Sequence, residues 1–261
     1  MKNLSRGDVI TALAGGFDHE LALLQANERR IVKMEFSAGP RLAHARSLGY
    51  TCLPAGGHYQ VDPTTADVIY GSGDETTFFV GSKADVLHAL ELEELERGPD
   101  PNVRQDAMQA LGKMLGYPSC CTESYRLQTT QDESASFARL LGRKGEVVGH
   151  FANNLFVLDH QVISHFPCSL NCARSAEVGL KALELCRETS QTYAEGLETL
   201  LRCPIRVWDR FRVQVEHPTL GTLYADNLSA EPRVRSHRRL NEFLTDLPLL
   251  PEDGTWVTWS D

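Results

Sequence analysis

Two short stretches of this sequence place a cysteine one or two residues after a proline. The first, Gly116–Cys121, reads Gly-Tyr-Pro-Ser-Cys-Cys, and the second, His165–Ser175, reads His-Phe-Pro-Cys-Ser-Leu-Asn-Cys-Ala-Arg-Ser. Proline suits the first position of a helix because it lacks the N–H group that would have no partner there. The positive end of the helix dipole favours thiolate over thiol in a first turn. We therefore predict two helix starts that gather four sulfurs around one point, those of Cys120, Cys121, Cys168 and Cys172.

The spacing within each motif suggests how many of these cysteines bind a metal. Cys168 and Cys172 are four residues apart, so on a helix they share a face. Cys120 and Cys121 are adjacent, and diverging side chains would leave one ligand from this pair. Three protein thiolates suit a [4Fe–4S] cluster in which one iron is open to a substrate. Such a cluster is the first hypothesis for the cofactor, and zinc is the alternative.

Two other classes of function fit the same cysteines. One is a zinc-stabilised binding or scaffold module, in which a fourth thiolate, His160 or His165 closes the coordination shell. The other is a metal-free thiol oxidoreductase that uses Cys120 and Cys121, although the sequence lacks the Cys-x-x-Cys typical of that class. Single cysteines are often buried as small apolar residues. Three cysteines are assigned to the core on that ground: Cys52, Cys186 and Cys203.

The two motifs resemble the GYPxCC and PCSxxCxxS signatures of an uncharacterised prokaryotic family. The likeness covers mainly residues 110–180. It implies that the four motif cysteines belong together, and it implies no particular reaction.

Polar residues in and near the second motif are candidates for substrate chemistry. His165 is the predicted catalytic residue, which would handle a proton, although it could instead ligate the metal or donate to a sulfur. Asn153 and Asn154 lie in an apolar run and could bind a substrate or hydrogen-bond a sulfur; a turn or bulge is the other explanation. Arg174 and Ser175 could hold a carboxylate or phosphate group, unless they are simply a surface arginine and a helix-facing serine. Together these residues suggest an enzyme acting on a small molecule by non-redox lyase or sulfur-transfer chemistry at the open iron.

Charge and hydropathy narrow the possible partners. The chain has 261 residues, with 26 Lys and Arg against 35 Asp and Glu, which gives a formal net charge of −9. That balance argues against general binding to nucleic acid or to an anionic membrane. The sequence shows no apolar secretory run at its start and no segment of membrane-spanning length. We therefore predict a cytoplasmic protein with reduced thiols or metal-bound cysteines; the oligomeric state is not indicated.

The hydrophobic pattern predicts an α/β or α+β fold, with a mixed sheet, packed helices and a long helix following the second motif. Gly98–Asn102 reads as a linker. It divides an N-terminal α/β region, residues 1–98, from a cysteine-motif region, residues 103–261, and the two are expected to pack as one unit.

Several individual elements can be predicted from local signals. A hairpin is expected around Gly71–Asp74, because two strand-like runs flank these turn residues. Ser82 is expected to cap a helix whose acidic second half, Glu91–Glu96, faces solvent. Gly116 should end the helix before the first motif, and the helix opened by Pro167 should break near Ser190.

Overall fold

The structure is a computed structural model. It describes residues 18–34, 39–56, 58–61, 68–71, 77–128, 148–149, 154–155, 160–169, 171–207, 212–219, 221–226, 255–257 and 259–260. Over these residues the fold combines seven helices with several small sheets, so the predicted α/β or α+β class is confirmed. The predicted long helix after the second cysteine motif is also present, over Ala173–Thr189.

The chain divides into two compact units. Residues 20–130 form the first unit, and residues 131–261 together with residues 1–19 form the second. The elements up to residue 130 are α1 (His19–Gln25), β1 (Ile31–Met34), α2 (Gly39–Ser47), β2 (Thr51–Ala55), β3 (His58–Val61), β4 (Val68–Gly71), β5 (Thr77–Gly81), α3 (Lys83–Glu96), α4 (Pro101–Met114) and α5 (Ser119–Gln128).

A three-stranded antiparallel sheet, ordered β1-β5-β2, is at the centre of the first unit. Successive side chains of a strand point to opposite faces. Ile31 and Phe79 therefore pack with α3 and α4, whereas Val32 and Val80 pack with α1 and α2. Helices on both faces explain why the central strand β5 is a continuous apolar run rather than an alternating one.

The predicted hairpin around Gly71–Asp74 is wrong. Both flanking strands exist, but β4 pairs with β3, and β5 pairs with β1 and β2. Burying the apolar side chains of β5 on both faces requires a central position in a sheet. That requirement outweighs the local turn signal, which can only pair β5 with its neighbour in sequence.

Helix α3 confirms one prediction and corrects another. The Ser82 side chain caps the helix by accepting a hydrogen bond from the Asp85 N–H at 3.2 Å. The acidic second half does not wholly face solvent, because Glu93 is buried. Its carboxylate accepts hydrogen bonds from Lys33 Nζ at 3.3 Å and from the Gly56 N–H at 2.9 Å. Helical periodicity turns this one glutamate inward, where charged and backbone donors satisfy it.

The predicted linker Gly98–Asn102 lies within the first unit. Asp100 caps α4, accepting from the Asn102 N–H at 2.9 Å, and Pro101 is the first residue of that helix. α3 and α4 contribute to the same apolar core, with Val86, Ala89 and Leu92 from the former and Ala107, Leu111 and Met114 from the latter. The grouping of residues 103–261 as one region stays a prediction.

The elements after residue 130 are β6 (Val148–Gly149), β7 (Asn154–Leu155), β8 (His160–Gln161), α6 (Ala173–Thr189), α7 (Gln191–Leu201), β9 (Ile205–Val207), β10 (Arg212–His217), β11 (Gly221–Asp226), β12 (Thr255–Val257) and β13 (Trp259–Ser260). The main sheet is antiparallel in the order β11-β10-β9-β12, and β6 and β13 form a parallel pair. Ser190 ends α6 and caps α7, which confirms the predicted break.

Within the part of the chain that the structure describes, every helix is too short or too polar to cross a lipid bilayer.

Candidate metal centre

The first cysteine motif lies at the start of helix α5. This helix begins at Ser119, directly after Pro118, whose carbonyl accepts hydrogen bonds from the N–H groups of Cys121 at 2.9 Å and Thr122 at 3.0 Å. The Thr122 hydroxyl also donates to this carbonyl, at 3.0 Å. Cys120 and Cys121 are therefore in the first helical turn, as the proline signal predicts.

The two adjacent cysteines of this motif do not diverge. Their Sγ atoms are 3.9 Å apart, so the expected divergence of the two side chains is wrong. The number of ligands that this pair supplies stays a prediction. Helical Cα–Cβ bonds all tilt towards the N-terminus, which lets neighbouring side chains lean past the same helix end. Cys121 is buried, whereas Cys120 is exposed.

The second motif has a different local structure from the one predicted. Helix α6 begins at Ala173 rather than at Pro167, so Cys168 and Cys172 do not share a helix face. Cys172 is the N-cap residue, with extended backbone angles of φ −65° and ψ 102°, and its N–H donates to the Ser169 carbonyl at 3.0 Å. Its Sγ accepts a hydrogen bond from the Ser175 N–H at 3.4 Å. A side-chain acceptor at the N-cap satisfies an N–H group that the helix leaves open, which favours a later start.

The four motif sulfurs come together. The Sγ atoms of Cys120, Cys121, Cys168 and Cys172 all lie within 4.8 Å of one another and could hold a metal ion. Thiolates are the ligands that zinc and iron–sulfur clusters prefer, so the donor chemistry fits either group. Among the residues that the structure describes, this is the only group of three or more His, Cys, Asp or Glu side chains with such spacing. The predicted gathering of sulfurs is thus present in the structure.

The three remaining cysteines differ from this group. Cys52, Cys186 and Cys203 are buried, as predicted. Burial raises the pKa of the Cys186 and Cys203 thiols to about 12, and it also raises the pKa of Cys52. A thiol with a raised pKa remains protonated at neutral pH and is a poor metal ligand or nucleophile.

His165 and Ser175, both predicted site residues, are in contact with each other. His165 Nε2 lies 2.8 Å from the Ser175 hydroxyl, and both side chains are buried. Because the N–H of Ser175 also donates to the Cys172 sulfur, the pair connects His165 to one of the four cysteines. A catalytic role for His165 and substrate binding by Ser175 stay predictions.

The other predicted site residues are less well placed by the structure. Arg174 is exposed on the first turn of α6. Asn154 belongs to β7 and pairs through its backbone with Gln161, and His160 belongs to β8. Asn153 lies outside the described residues. Substrate binding by Asn153, Asn154 and Arg174 therefore stays a prediction.

Sequence reasoning missed two residues that support the first motif. Arg29 and Glu20 form an ion pair with 3.0 Å between Nη1 and Oε1, and their side chains are 2% and 8% exposed. The stem of Arg29 lies against Gly116, and its guanidinium is 5.9 Å from the centre of the Tyr117 ring. In the sequence, only Gly116 of the motif indicates a close neighbour such as Arg29, because a glycine allows another chain segment to approach.

The fold and the site together define a mixed helix and sheet protein with a four-cysteine cluster able to bind a metal ion. Residues 94–201 match the model of a family described as "Protein of unknown function (DUF483)". This match includes both cysteine motifs and confirms the resemblance to an uncharacterised family. The comparison with curated proteins found no match, and neither did the comparison with solved structures.

Proposed function

We propose that this protein binds a single zinc ion through four thiolates, and that the ion stabilises the fold around the two cysteine motifs. The separation of the sulfurs carries this proposal. Zinc–sulfur bonds of about 2.3 Å arranged as a tetrahedron place the sulfurs roughly 3.8 Å apart. Cys120 and Cys121 have a Sγ–Sγ distance of 3.9 Å, and all four sulfurs lie within 4.8 Å of one another.

The same distances argue against the [4Fe–4S] cluster that the sequence suggested first. In such a cluster each thiolate binds a different iron, so the sulfurs are separated by an iron–iron edge as well as by two iron–sulfur bonds, roughly 6 Å in all. The four sulfurs within 4.8 Å of one another would have to move apart to hold it. A mononuclear ion requires only a small contraction.

The surroundings of the sulfurs suit a negatively charged tetrathiolate site. Four thiolates around one Zn²⁺ carry a formal charge of −2, which nearby N–H groups can offset. Cys120 and Cys121 occupy the first turn of α5, and the Cys172 sulfur accepts the Ser175 N–H at 3.4 Å near the start of α6. A closed shell of four cysteines is typical of structural zinc sites rather than catalytic ones.

A second candidate function rests on the exposure of Cys120. Cys121 and Cys172 are buried and Cys168 is half-buried, so Cys120 is the ligand that solvent or a substrate reaches most easily. Displacement of Cys120 from the metal by water or a substrate would leave three thiolates and one open position, as in catalytic zinc sites. In that case the protein would be an enzyme acting on a small molecule, with His165 close to Cys172 through Ser175.

Anaerobic purification with metal analysis tests both candidates. We expect colourless protein with about one zinc ion per chain and no acid-labile sulfide, as a structural site requires. Replacement of zinc by cobalt should give the intense visible spectrum of a tetrahedral tetrathiolate complex. Brown protein that contains both iron and sulfide would overturn the zinc assignment. A cobalt spectrum that changes when a small thiol or carboxylate is added would favour the enzyme over the structural site.

A further inference from the structure

The buried ion pair Glu20–Arg29 contacts, through Arg29, the turn that opens the first cysteine motif. We propose that this pair positions Cys120 and Cys121 for metal binding, an inference that rests on the metal site proposed above. Neither Glu20 nor Arg29 belongs to the group of metal-ligating side chains, so both would act through the backbone of the motif. They are positioning residues rather than ligands.

The burial of this pair indicates a specific role. The Arg29 and Glu20 side chains are 2% and 8% exposed, with 3.0 Å between Nη1 and Oε1. Removing two charges from water costs about as much as their attraction returns, so a buried ion pair adds little net stability over apolar side chains. The best-attested use of such a pair is to fix one geometry among several.

The geometry fixed here is that of the turn formed by Gly116 and Tyr117. Gly116 has a φ of +73°, and a Cβ added to it would lie 2.7 Å from Arg29 Cγ and 3.2 Å from the Glu28 carbonyl oxygen. The next residue, Tyr117, presents its ring to the Arg29 guanidinium at 5.9 Å. Arg29 therefore contacts both residues that open the motif, one through its stem and one through its charge.

Backbone hydrogen bonds link the segment that carries Arg29, and the turn it contacts, to the helix that carries Cys120 and Cys121. The Arg30 N–H donates to the Met114 carbonyl at 3.2 Å, which attaches the segment carrying Arg29 to the end of α4. The Tyr117 N–H donates to the Gly112 carbonyl at 2.9 Å and closes the turn. Pro118 follows at once, and its carbonyl accepts the Cys121 N–H. A shift of the turn would therefore move Pro118 and the first turn of α5 together.

The zinc affinity of matched variants tests this role. The double variant Glu20→Gln/Arg29→Met removes both charges, which avoids leaving one charge buried alone. We expect its zinc dissociation constant, measured by competition with a chromophoric chelator, to rise about 10- to 100-fold, as for other residues that orient metal ligands. The single variant Arg29→Lys keeps the charge and much of the stem, and should restore part of the affinity.

The matched control is a second buried carboxylate among the described residues of the same unit. Glu93 is also buried, and its carboxylate pairs with Lys33 and with Arg97, each at 3.3 Å. Lys33→Met/Glu93→Gln should lower the melting temperature of the metal-free protein by a similar amount and leave the zinc affinity unchanged. Equal loss of affinity in both double variants, or in neither, would overturn the positioning role. A wild-type protein that fails to bind zinc would instead refute the proposed metal site.

Discussion

The two cysteine motifs begin with the same sequence signal and adopt different structures. In both, a proline precedes a cysteine by one or two residues. In the first motif the helix starts at once, and Cys120 and Cys121 are inside it. In the second the helix starts at Ala173, after a turn closed by the Cys172 N–H and the Ser169 carbonyl. Proline permits a helix start, and the available hydrogen-bond acceptors decide where the helix begins.

The motifs also differ in what supports them. The first is supported by a buried ion pair, Glu20–Arg29, whose arginine contacts its opening turn. The second is supported by a hydrogen bond between the buried side chains of His165 and Ser175. In the first motif, the helix backbone holds the sulfurs of Cys120 and Cys121 side by side. In the second motif, hydrogen bonds of the turn and of the N-cap residue Cys172 hold the backbone that carries the sulfurs. The following predictions separate these contributions.

Replacing buried ligands should have the largest effect. Cys121→Ser and Cys172→Ser, one in each motif, should both abolish stoichiometric zinc binding, because a buried hydroxyl is a far weaker ligand than a thiolate. Cys120→Ser should keep zinc with a dissociation constant raised about 10- to 100-fold, since water can reach this exposed position. Zinc content after gel filtration measures the difference. Full zinc binding by Cys121→Ser or Cys172→Ser would contradict the four-thiolate site. Cys186→Ser serves as a control for the loss of a buried thiol outside the site.

Removal of the metal should have the second largest effect, a loss of thermal stability. A ligand that binds only the folded state raises the free energy of unfolding. Zinc at about a thousand times its dissociation constant should raise it by about 4 kcal/mol. Thermal unfolding of the wild type with and without a strong chelator measures this term. The same comparison with Cys121→Ser is the control, since that variant should show no chelator effect. A wild-type melting temperature that the chelator leaves unchanged would argue against a stabilising ion.

Loss of the hydrogen bond between His165 and Ser175, within the second motif, should have a smaller effect. Ser175→Ala leaves the buried Nε2 of His165 without its hydroxyl partner, which we expect to cost about 1–3 kcal/mol in the free energy of unfolding. The N–H of residue 175 remains, so the hydrogen bond to the Cys172 sulfur should persist and the zinc affinity should change by less than about tenfold. Chemical denaturation and chelator competition measure the two effects. A large loss of affinity at unchanged stability would instead indicate that His165 and Ser175 act at the metal.

The smallest expected effect is a difference in alkylation rate between Cys120 of the first motif and Cys168 of the second. Cys120 is exposed and Cys168 is half-buried, so with zinc bound we expect iodoacetamide at pH 8 to modify Cys120 a few times faster. Cys186 and Cys203 provide the internal reference. With a pKa of about 12, only about one such thiol in 10,000 is ionised at pH 8, against roughly a quarter of ordinary thiols. Mass spectrometry of the peptides measures each rate, and rapid labelling of Cys203 in the folded protein would contradict its assignment to the core.

Several features that depend only on neighbouring residues were predicted correctly. Ser82 caps its helix, Gly116 adopts the positive φ that ends a helix, and Ser190 separates α6 from α7. Each of these signals acts over a few residues, where capping and backbone freedom determine the conformation.

Features that depend on distant residues were not predictable in the same way. The partner of β5 depends on which strands share its two buried faces, and the inward position of Glu93 depends on Lys33 and Gly56. The pairing of Arg29 with the first motif has no signal in the spacing of the chain. Contacts of this kind appear only when segments far apart in sequence pack together, and their free energy outweighs local preference.

The sequence alone identified which four cysteines form a group, because two proline–cysteine motifs contain Cys120, Cys121, Cys168 and Cys172, and the other three cysteines lie outside them. Tertiary structure alone placed their sulfurs within 4.8 Å of one another. That separation bears on which metal centre fits, since coordination depends on distances of a few tenths of an ångström. Residue types can specify soft ligands, but only packing and backbone hydrogen bonds fix the positions of those ligands in space.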